Sequence, residues 1–249
     1  GLVGSEMCIR DRKKVTPSDY LKPKNWLVIA LLVKARFISF LPIKTIQSFG
    51  VVVGFILFCI PSKRKGIAKR NIELCFPHLN EKEQIRMVKD HFISLGIGFF
   101  EVCIARWKSD QSIAKITQIE GFDILQDAAK KDRGIVLLSA HFTMLESSAF
   151  IGRESIAPGL PDMVGMYRVG SNPIINRFFR NARLKSVQSL ITKFEVKNLI
   201  KALKEKKIVW YASDQNFTGK NSVDISFFGQ NAPTTPAICR FVEMTDCIV

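Results

Sequence analysis

Apolar residues in the second half of the chain form short runs separated by amphipathic stretches. Four runs predict buried strands: GIVLLSA at 134–140, MVGMY at 163–167, SVQSLI at 186–191 and KIVWYAS at 207–213. Helical patterns lie between them, such as NPIINRFFRNAR, with Asn172 as its N-cap and Pro173 at its first helical position. Strands that alternate with helices favour an α/β fold, with a mainly parallel sheet covered by helices.

A long amphipathic helix is predicted ahead of the sheet. Asn80 and Glu83 form a capping-box pattern at its start. Apolar residues then recur in steps of three and four: Ile85, Val88, Phe92, Leu95, Phe99 and Val102. His91 falls off this stripe and is expected at the solvated surface.

The chain from Trp26 to Ile60 is strongly apolar. Its longest uncharged run, residues 45–62, is close to the shortest helix that crosses a bilayer, roughly 17 residues. We therefore expect a membrane anchor over residues 26–62, which either crosses the bilayer or lies in its surface. An apolar core hairpin of a soluble protein is the alternative. The cluster that follows would sit among anionic headgroups on the cytoplasmic side: Lys63, Arg64, Lys65, Lys69 and Arg70.

The two ends of the chain differ from the rest. GLVGSEMCIRDR at the start has no helical or strand periodicity, and we expect residues 1–25 to be a leader that includes non-native residues. The final TDCIV has the pattern of a strand that has just begun, so we expect a C-terminal truncation. Residues 63–249 are expected to form one α/β domain.

Composition narrows the possible partners. The 37 Lys and Arg against 22 Asp and Glu give a formal net charge of +15. This charge indicates nucleic acid, acidic lipid headgroups or an acidic protein as partner. Nucleic acid is the least supported of these, because no zinc-finger spacing, RNP-type aromatic motif or basic heptad arm occurs. The six cysteines form no CxxC pair and lie in or beside apolar runs, so we expect them to be reduced and buried.

Polar side chains follow three of the predicted strands where each ends. His141 follows the first strand, Arg168 the second, and Asp214 with Gln215 the fourth. In open parallel sheets, ligands bind at the carboxyl ends of the strands. These residues are therefore expected to converge on one rim.

His141 and Glu146 lie five positions apart in LLSAHFTMLE. If a helix begins near Thr143, Glu146 can fold back to orient the imidazole as a general base, with Arg168 holding developing negative charge. On these residues alone, a histidine that merely lies in a loop is equally compatible. A metal site is not expected, because there is no HExxH motif and the chain has only three histidines.

Four blocks, in the same order, resemble the lipid A biosynthesis late acyltransferases of Gram-negative bacteria, most closely the lauroyl branch. The blocks are RNIELCFPHLNEKEQ, LLSAHFTMLE, GMYRVGSNPIINRFFRNAR and VWYASDQNFTGKNSVDISFFGQNAPTTPA. The resemblance runs from about Leu41 to Val249. It implies the acyltransferase fold of the lysophospholipid acyltransferase superfamily over residues 63–249, with an N-terminal hydrophobic membrane-anchor helix.

The resemblance also implies a reaction. A fatty acyl chain would pass from acyl carrier protein to a hydroxyl of a Kdo-modified lipid A precursor, on the cytoplasmic face of the bacterial inner membrane, with no cofactor. His141 and Glu146 match the catalytic dyad of the family, and Arg168 matches the arginine of its second block. A proline often follows that arginine, where this chain has Val169. Residues expected to bind substrate are Asp214, Gln215, Arg180, Arg183, Phe228 and Gly229.

Two other functions stay open at this point. The same dyad logic serves glycerolipid acyltransferases that act on lysophosphatidic acid. A non-catalytic membrane lipid-binding protein would also have this charge and apolar segment. The Lys197–Lys207 helix and the Lys63–Arg70 cluster are candidate docking surfaces for an anionic partner.

Overall fold

A computed structural model describes residues 15–249; the first 14 residues of the expected leader lie outside the described residues. The helices, in chain order, are α1 (Pro17–Leu21), α2 (Pro23–Ile38), α3 (Ile43–Cys59), α4 (Lys63–Cys75), α5 (Glu81–Trp107), α6 (Asp110–Ala114), α7 (Phe122–Ala129), α8 (Leu145–Ser148), α9 (Pro173–Arg183), α10 (Val196–Lys204) and α11 (Ala237–Thr245). The strands are β1 (Ile135–Ser139), β2 (Met163–Tyr167), β3 (Ser189–Thr192), β4 (Ile208–Ala212), β5 (Val223–Phe227) and β6 (Gln230–Thr234).

The first four strands form a parallel sheet in the order β1-β4-β2-β3. The prediction of a mainly parallel sheet covered by helices is confirmed. Strand β3 begins three residues later than predicted. Ser186 instead lies buried in the turn after α9, where its hydroxyl accepts a hydrogen bond from the guanidinium of Arg153.

Apolar side chains cover both faces of this sheet. On one face, strand residues such as Val136 and Val209 pack with Leu199 and Leu203 of α10 and with Phe241 of α11. A second cluster joins α7 to the sheet through Leu125, Ile135, Met163, Ile208 and Trp210. Full burial of one such side chain contributes about 1.5–3 kcal/mol, so the two layers fix the strands that carry the site.

Helix α5 begins at the predicted capping box, in which Asn80 and Glu83 bond each other's backbone N–H groups. The predicted buried stripe is only partly correct, because Ile85, Leu95 and Phe99 are exposed. Near its middle, α5 instead crosses α3 closely through small residues of both helices. A Cβ on Gly96 would collide with the backbone of Gly50 and Gly54, so glycine is required there. His91 is exposed, as predicted.

The expected anchor segment does not form one long helix. It contains α2 and α3, which are separated by a turn that ends at Pro42. Within residues 15–249, no individual helix combines the length and apolarity needed to cross a bilayer; α3 and α4 meet that test only as a pair bent by 91°. Pro42 lacks the backbone N–H that a continuous helix from α2 to α3 would need, which explains the break between these two helices.

The cysteines are free, as expected, among the described residues. Cys103 and Cys247 are buried, and burial raises the pKa of the Cys103 thiol to about 12. The expectation of burial is wrong for Cys59 and Cys239, which are exposed. Cys59 ends α3, where several apolar side chains also face outward, so apolar neighbours in sequence did not imply burial.

Candidate active site

The carboxyl ends of the four parallel strands lie level with one another. Ser139 at the end of β1 is paired with Ala212 at the end of β4, and Tyr167 of β2 is paired with Thr192 of β3. Strand β4 lies between β1 and β2. The segments that carry His141, Asp214 and Arg168 therefore leave neighbouring strands at the same edge, with the Asp214 segment in the middle.

Asp214 holds His141 through two hydrogen bonds. The imidazole Nδ1 lies 2.6 Å from Oδ1 of Asp214, and the backbone N–H of His141 donates to Oδ2 at 2.8 Å. An ionised carboxylate can only accept hydrogen bonds, so the imidazole proton sits on Nδ1 and Nε2 is free to accept one. Both side chains are about a third exposed, which leaves the pair open to a substrate.

The electrostatics of Asp214 agree with this arrangement. Partial burial by itself raises the pKa of its carboxyl group. The hydrogen bonds from the ring and the backbone of His141 outweigh that effect, so the pKa lies below its ordinary value. The carboxylate therefore stays ionised beside the imidazole.

The structure does not bring Glu146 to His141, so the predicted contact is wrong. Glu146 is buried, and its carboxylate oxygens accept three hydrogen bonds from Arg183 of α9, at 2.5, 2.9 and 3.1 Å. A buried carboxylate requires a paired cation, and the nearby guanidinium satisfies both of its oxygens. Glu146 thus ties α8 to α9, and its catalytic role stays a prediction.

The loop after His141 packs directly on α5. Gly98 lies against Thr143, and a Cβ at this glycine would collide with the Thr143 carbonyl oxygen. The hydroxyl of Ser147 donates to a carboxylate oxygen of Glu101, also on α5, at 2.6 Å. These contacts fix the loop between β1 and α8, and with it the position of His141.

The segment after β2 carries Arg168 to the same edge. Arg168 is exposed, and its side chain makes no hydrogen bond or ion pair to another residue within 15–249. Its loop is held by Asn176, which accepts from the Gly170 N–H. Asn172 caps α9 as predicted, accepting from two backbone N–H groups, and its amide donates to the buried Asn25 of α2.

The other predicted substrate-binding residues lie in three places. Arg180 and Gln215 are exposed, whereas the guanidinium of Arg183 is paired with the carboxylate of Glu146. Phe228 and Gly229 form the turn between β5 and β6. A cavity of about 520 Å³ lies beside the loop before β2 and the end of α7, away from this edge, and contains none of these residues. No cluster of three His, Cys, Asp or Glu side chains suited to a metal occurs within residues 15–249.

A histidine held by a carboxylate lies at the carboxyl edge of the parallel sheet, and an exposed arginine follows a strand of the same edge. This arrangement is one that can support general-base chemistry. Residues 13–249 match the family model described as bacterial lipid A biosynthesis acyltransferase. The chain belongs to this family, and it is an acyltransferase. The resemblance found in the four sequence blocks is confirmed.

Individual relatives agree with the family match. The chain is 32% identical to the lipid A biosynthesis lauroyltransferase of Escherichia coli (strain K12), over 92% of this chain and 74% of the relative. It is also 32% identical to a lipid A biosynthesis acyltransferase of Haemophilus influenzae, over 84% and 66%. A lipid A biosynthesis palmitoleoyltransferase of E. coli is 29% identical over 87% and 70%. The chain spans about two thirds to three quarters of these relatives.

Proposed function

We propose that this acyltransferase moves a fatty acyl chain from acyl carrier protein to a hydroxyl of a Kdo-modified lipid A precursor in a Gram-negative bacterium. The observation that carries the proposal is the His141–Asp214 pair at the sheet edge of a chain in this family. The names of the relatives support lipid A as the acceptor class. An acidic carrier and a phosphorylated acceptor also fit the net charge of +15.

In the proposed mechanism, His141 is the general base. Its Nε2 takes the proton of the acceptor hydroxyl while the hydroxyl oxygen attacks the thioester carbonyl carbon. Arg168 and nearby backbone N–H groups stabilise the tetrahedral oxyanion. When this intermediate collapses, the carbon–sulfur bond breaks and the imidazolium returns its proton to the departing carrier thiolate. Asp214 stabilises the imidazolium and fixes its tautomer throughout.

The predicted His141–Glu146 dyad takes a modified form in this mechanism. Asp214 supplies the carboxylate that orients the imidazole, since it is the group in hydrogen-bond contact. Glu146 supports the site through Arg183, because their ion pair joins the helix after His141 to the helix after Arg168. Arg183 is therefore a positioning residue rather than a substrate-binding one.

The acceptor requires contact with a bilayer, and residues 26–62 are suited to provide it. Exposed apolar side chains occur along both α2 and α3: Trp26, Leu27, Leu31, Phe37, Val52, Phe55 and Ile56. The proposed anchor lies in the cytoplasmic surface of the inner membrane, with the Lys63–Arg70 cluster at the headgroups. A bent α3–α4 pair that enters the bilayer is the other geometry compatible with its length and composition.

The carrier protein is proposed to dock on α10. Lys197, Lys201 and Lys204 are exposed and repeat in steps of four and three along α10, which places them on one helical side, and Lys193 is exposed in the turn just before the helix. Helix α10 starts just after β3 ends, so this lysine stripe begins at the same sheet edge as His141. A stripe of like charge there would attract an acidic carrier and orient its thioester arm toward the base.

The test is mass spectrometry of the Kdo-modified lipid A precursor after incubation with lauroyl carrier protein and membranes that contain this chain. We expect the gain of one acyl group, and a loss of roughly 10²–10⁴-fold in rate for His141→Ala. Near-normal turnover by a folded His141→Ala variant would rule out the mechanism. Acylation of lysophosphatidic acid instead would identify a glycerolipid acyltransferase. Lipid binding without any turnover in the parent would favour the lipid-binding protein.

A further inference from the structure

The β5–β6 hairpin presents an apolar face that the described protein does not cover. Val223, Ile225 and Phe227 alternate along β5, so their side chains lie on the same face, and they are 45%, 46% and 54% exposed. Asp224 and Ser226 lie on the opposite face. An exposed strand of this composition is a hazard for aggregation unless it has a partner.

The turn of the hairpin carries a second unusual feature. Phe228 and Gly229 both have positive φ, at 50° and 72°, as in the type I′ turn of a two-residue hairpin. Glycine and asparagine suit such positions, whereas a bulky aromatic residue there is strained. Phe228 packs on Phe76, with ring centroids 5.1 Å apart, and remains 54% exposed. The aromatic side chain is thus kept at a site where the backbone disfavours it.

This contact joins the hairpin to the basic helix that follows the proposed anchor. Phe76 directly follows α4, the helix that carries the Lys63–Arg70 cluster. Helix α4 contains five basic residues and only one acidic residue, Glu73. On the same helix, Ile67 and Leu74 are exposed. Apolar side chains beside a strongly basic helix fit an anionic lipid surface, because apolar area and headgroup attraction then act together.

We propose that the β5–β6 hairpin is a second lipid-binding element. Its face of Val223, Ile225 and Phe227 enters the boundary between headgroups and acyl chains of an anionic bilayer. The Phe228–Phe76 contact fixes the position of the hairpin relative to the end of α4, so that both elements meet the same surface. Only eight residues, 215–222, separate Asp214 from the hairpin, so its docking brings the His141 edge to the bilayer.

Two adjacent substitutions test this proposal with matched chemistry. Ile225→Asp places a charge on the apolar face, and Ser226→Asp places the same charge one residue further on the opposite face. The measurement is co-sedimentation of the full chain with vesicles of phosphatidylglycerol and phosphatidylethanolamine. We expect Ile225→Asp to weaken binding about tenfold or more, and Ser226→Asp to weaken it much less, because only the first substitution moves apolar area out of the lipid.

Other occupants of the face give different results. If another part of the protein or a second copy covers it, Ile225→Asp lowers the melting temperature or the oligomeric state more than Ser226→Asp, and vesicle binding does not separate the two variants. That outcome overturns the proposal, as does equal loss of vesicle binding by both. Adding pure phosphatidylethanolamine vesicles separates the two forces, since weaker binding there is expected from loss of the headgroup attraction.

The vesicle experiment does not depend on the proposed reaction. A second measurement, acylation of a vesicle-embedded acceptor, does rest on the proposed function, and we expect Ile225→Asp to be slower than Ser226→Asp in it. If the parent chain transfers no acyl group, the proposed function fails, while the difference in vesicle binding still supports the hairpin as a lipid-binding element.

Discussion

Asp214 binds His141 with both of its carboxylate oxygens, one to the imidazole Nδ1 and one to the backbone N–H. The pair joins the ends of β1 and β4, which are neighbours in the sheet although the two residues lie 73 positions apart in the chain. One carboxylate thereby fixes both the tautomer of the ring and the position of the backbone that carries it. Loss of Asp214 should therefore affect catalysis more than folding.

Asp214→Asn is expected to lower kcat by roughly 10²–10⁴-fold. Its amide can donate to the ring as well as accept, so Nε2 no longer has to be the free nitrogen of the imidazole. Steady-state kinetics with lauroyl carrier protein measure the loss, and Asp224→Asn on the β5–β6 hairpin serves as a control with the same chemical change. A kcat within about threefold of the parent would show that Asp214 does not orient the base.

The depressed pKa of Asp214 also predicts a pH dependence of stability. An ionised carboxylate with a lowered folded-state pKa contributes to the free energy of unfolding above its unfolded pKa, near 3.8, and the contribution is lost as pH falls through the folded value. Asp214→Asn lacks this contribution at every pH. We expect the difference in free energy of unfolding between parent and variant to persist as the pH falls to about 3.8, the unfolded pKa, and to shrink at lower pH. Urea titrations at several pH values test this, and a difference that vanishes well above 3.8 would contradict it.

The Glu146–Arg183 pair predicts a different kind of defect. Glu146→Ala leaves the guanidinium of Arg183 without its carboxylate, in a site where only 17% of the arginine side chain is exposed. Breaking a buried pair in this way costs about 3–5 kcal/mol of stability. Chemical denaturation measures the loss, and removing the second charge as well, with Arg183→Met, should recover most of it. A large fall in kcat with unchanged stability would instead support the role that the sequence predicted for Glu146, which is to orient His141 as the acid of the catalytic dyad.

The two carboxylates show what the sequence could predict and what it could not. The strands end just before the polar residues that the alternation of strand and helix patterns indicated. The shared edge with His141, Arg168 and Asp214 could therefore be predicted from the sequence. The choice of partner for His141 depends on strand order, because β4 lies next to β1 only in the folded sheet. Spacing along the chain favoured Glu146 as the partner, but Glu146 is ion-paired with Arg183 instead. No local sequence pattern indicates that α9 packs so as to bring Arg183 to Glu146.

Arg168 is expected to act on the transition state. Arg168→Met should lower kcat by roughly 10²–10³-fold with little change in KM, because a group that stabilises the developing oxyanion contributes little in the ground state. Arg180→Met offers a matched comparison, since this exposed arginine was predicted to bind substrate and should raise KM instead. Equal effects of both substitutions on KM alone would place Arg168 in substrate binding.

The lysine stripe on α10 predicts a defect that is confined to the donor. Lys197→Glu combined with Lys201→Glu should raise KM for the acyl carrier protein about tenfold at low salt, because two attractive contacts become repulsive. The effect should diminish as salt screens the charges over about 10 Å at 0.1 M. Lys130→Glu with Lys131→Glu changes the charge by the same amount at the end of α7, near the amino ends of the strands, and should leave this KM unchanged. If both pairs raise KM equally, the net charge of +15 attracts the carrier without a defined docking surface.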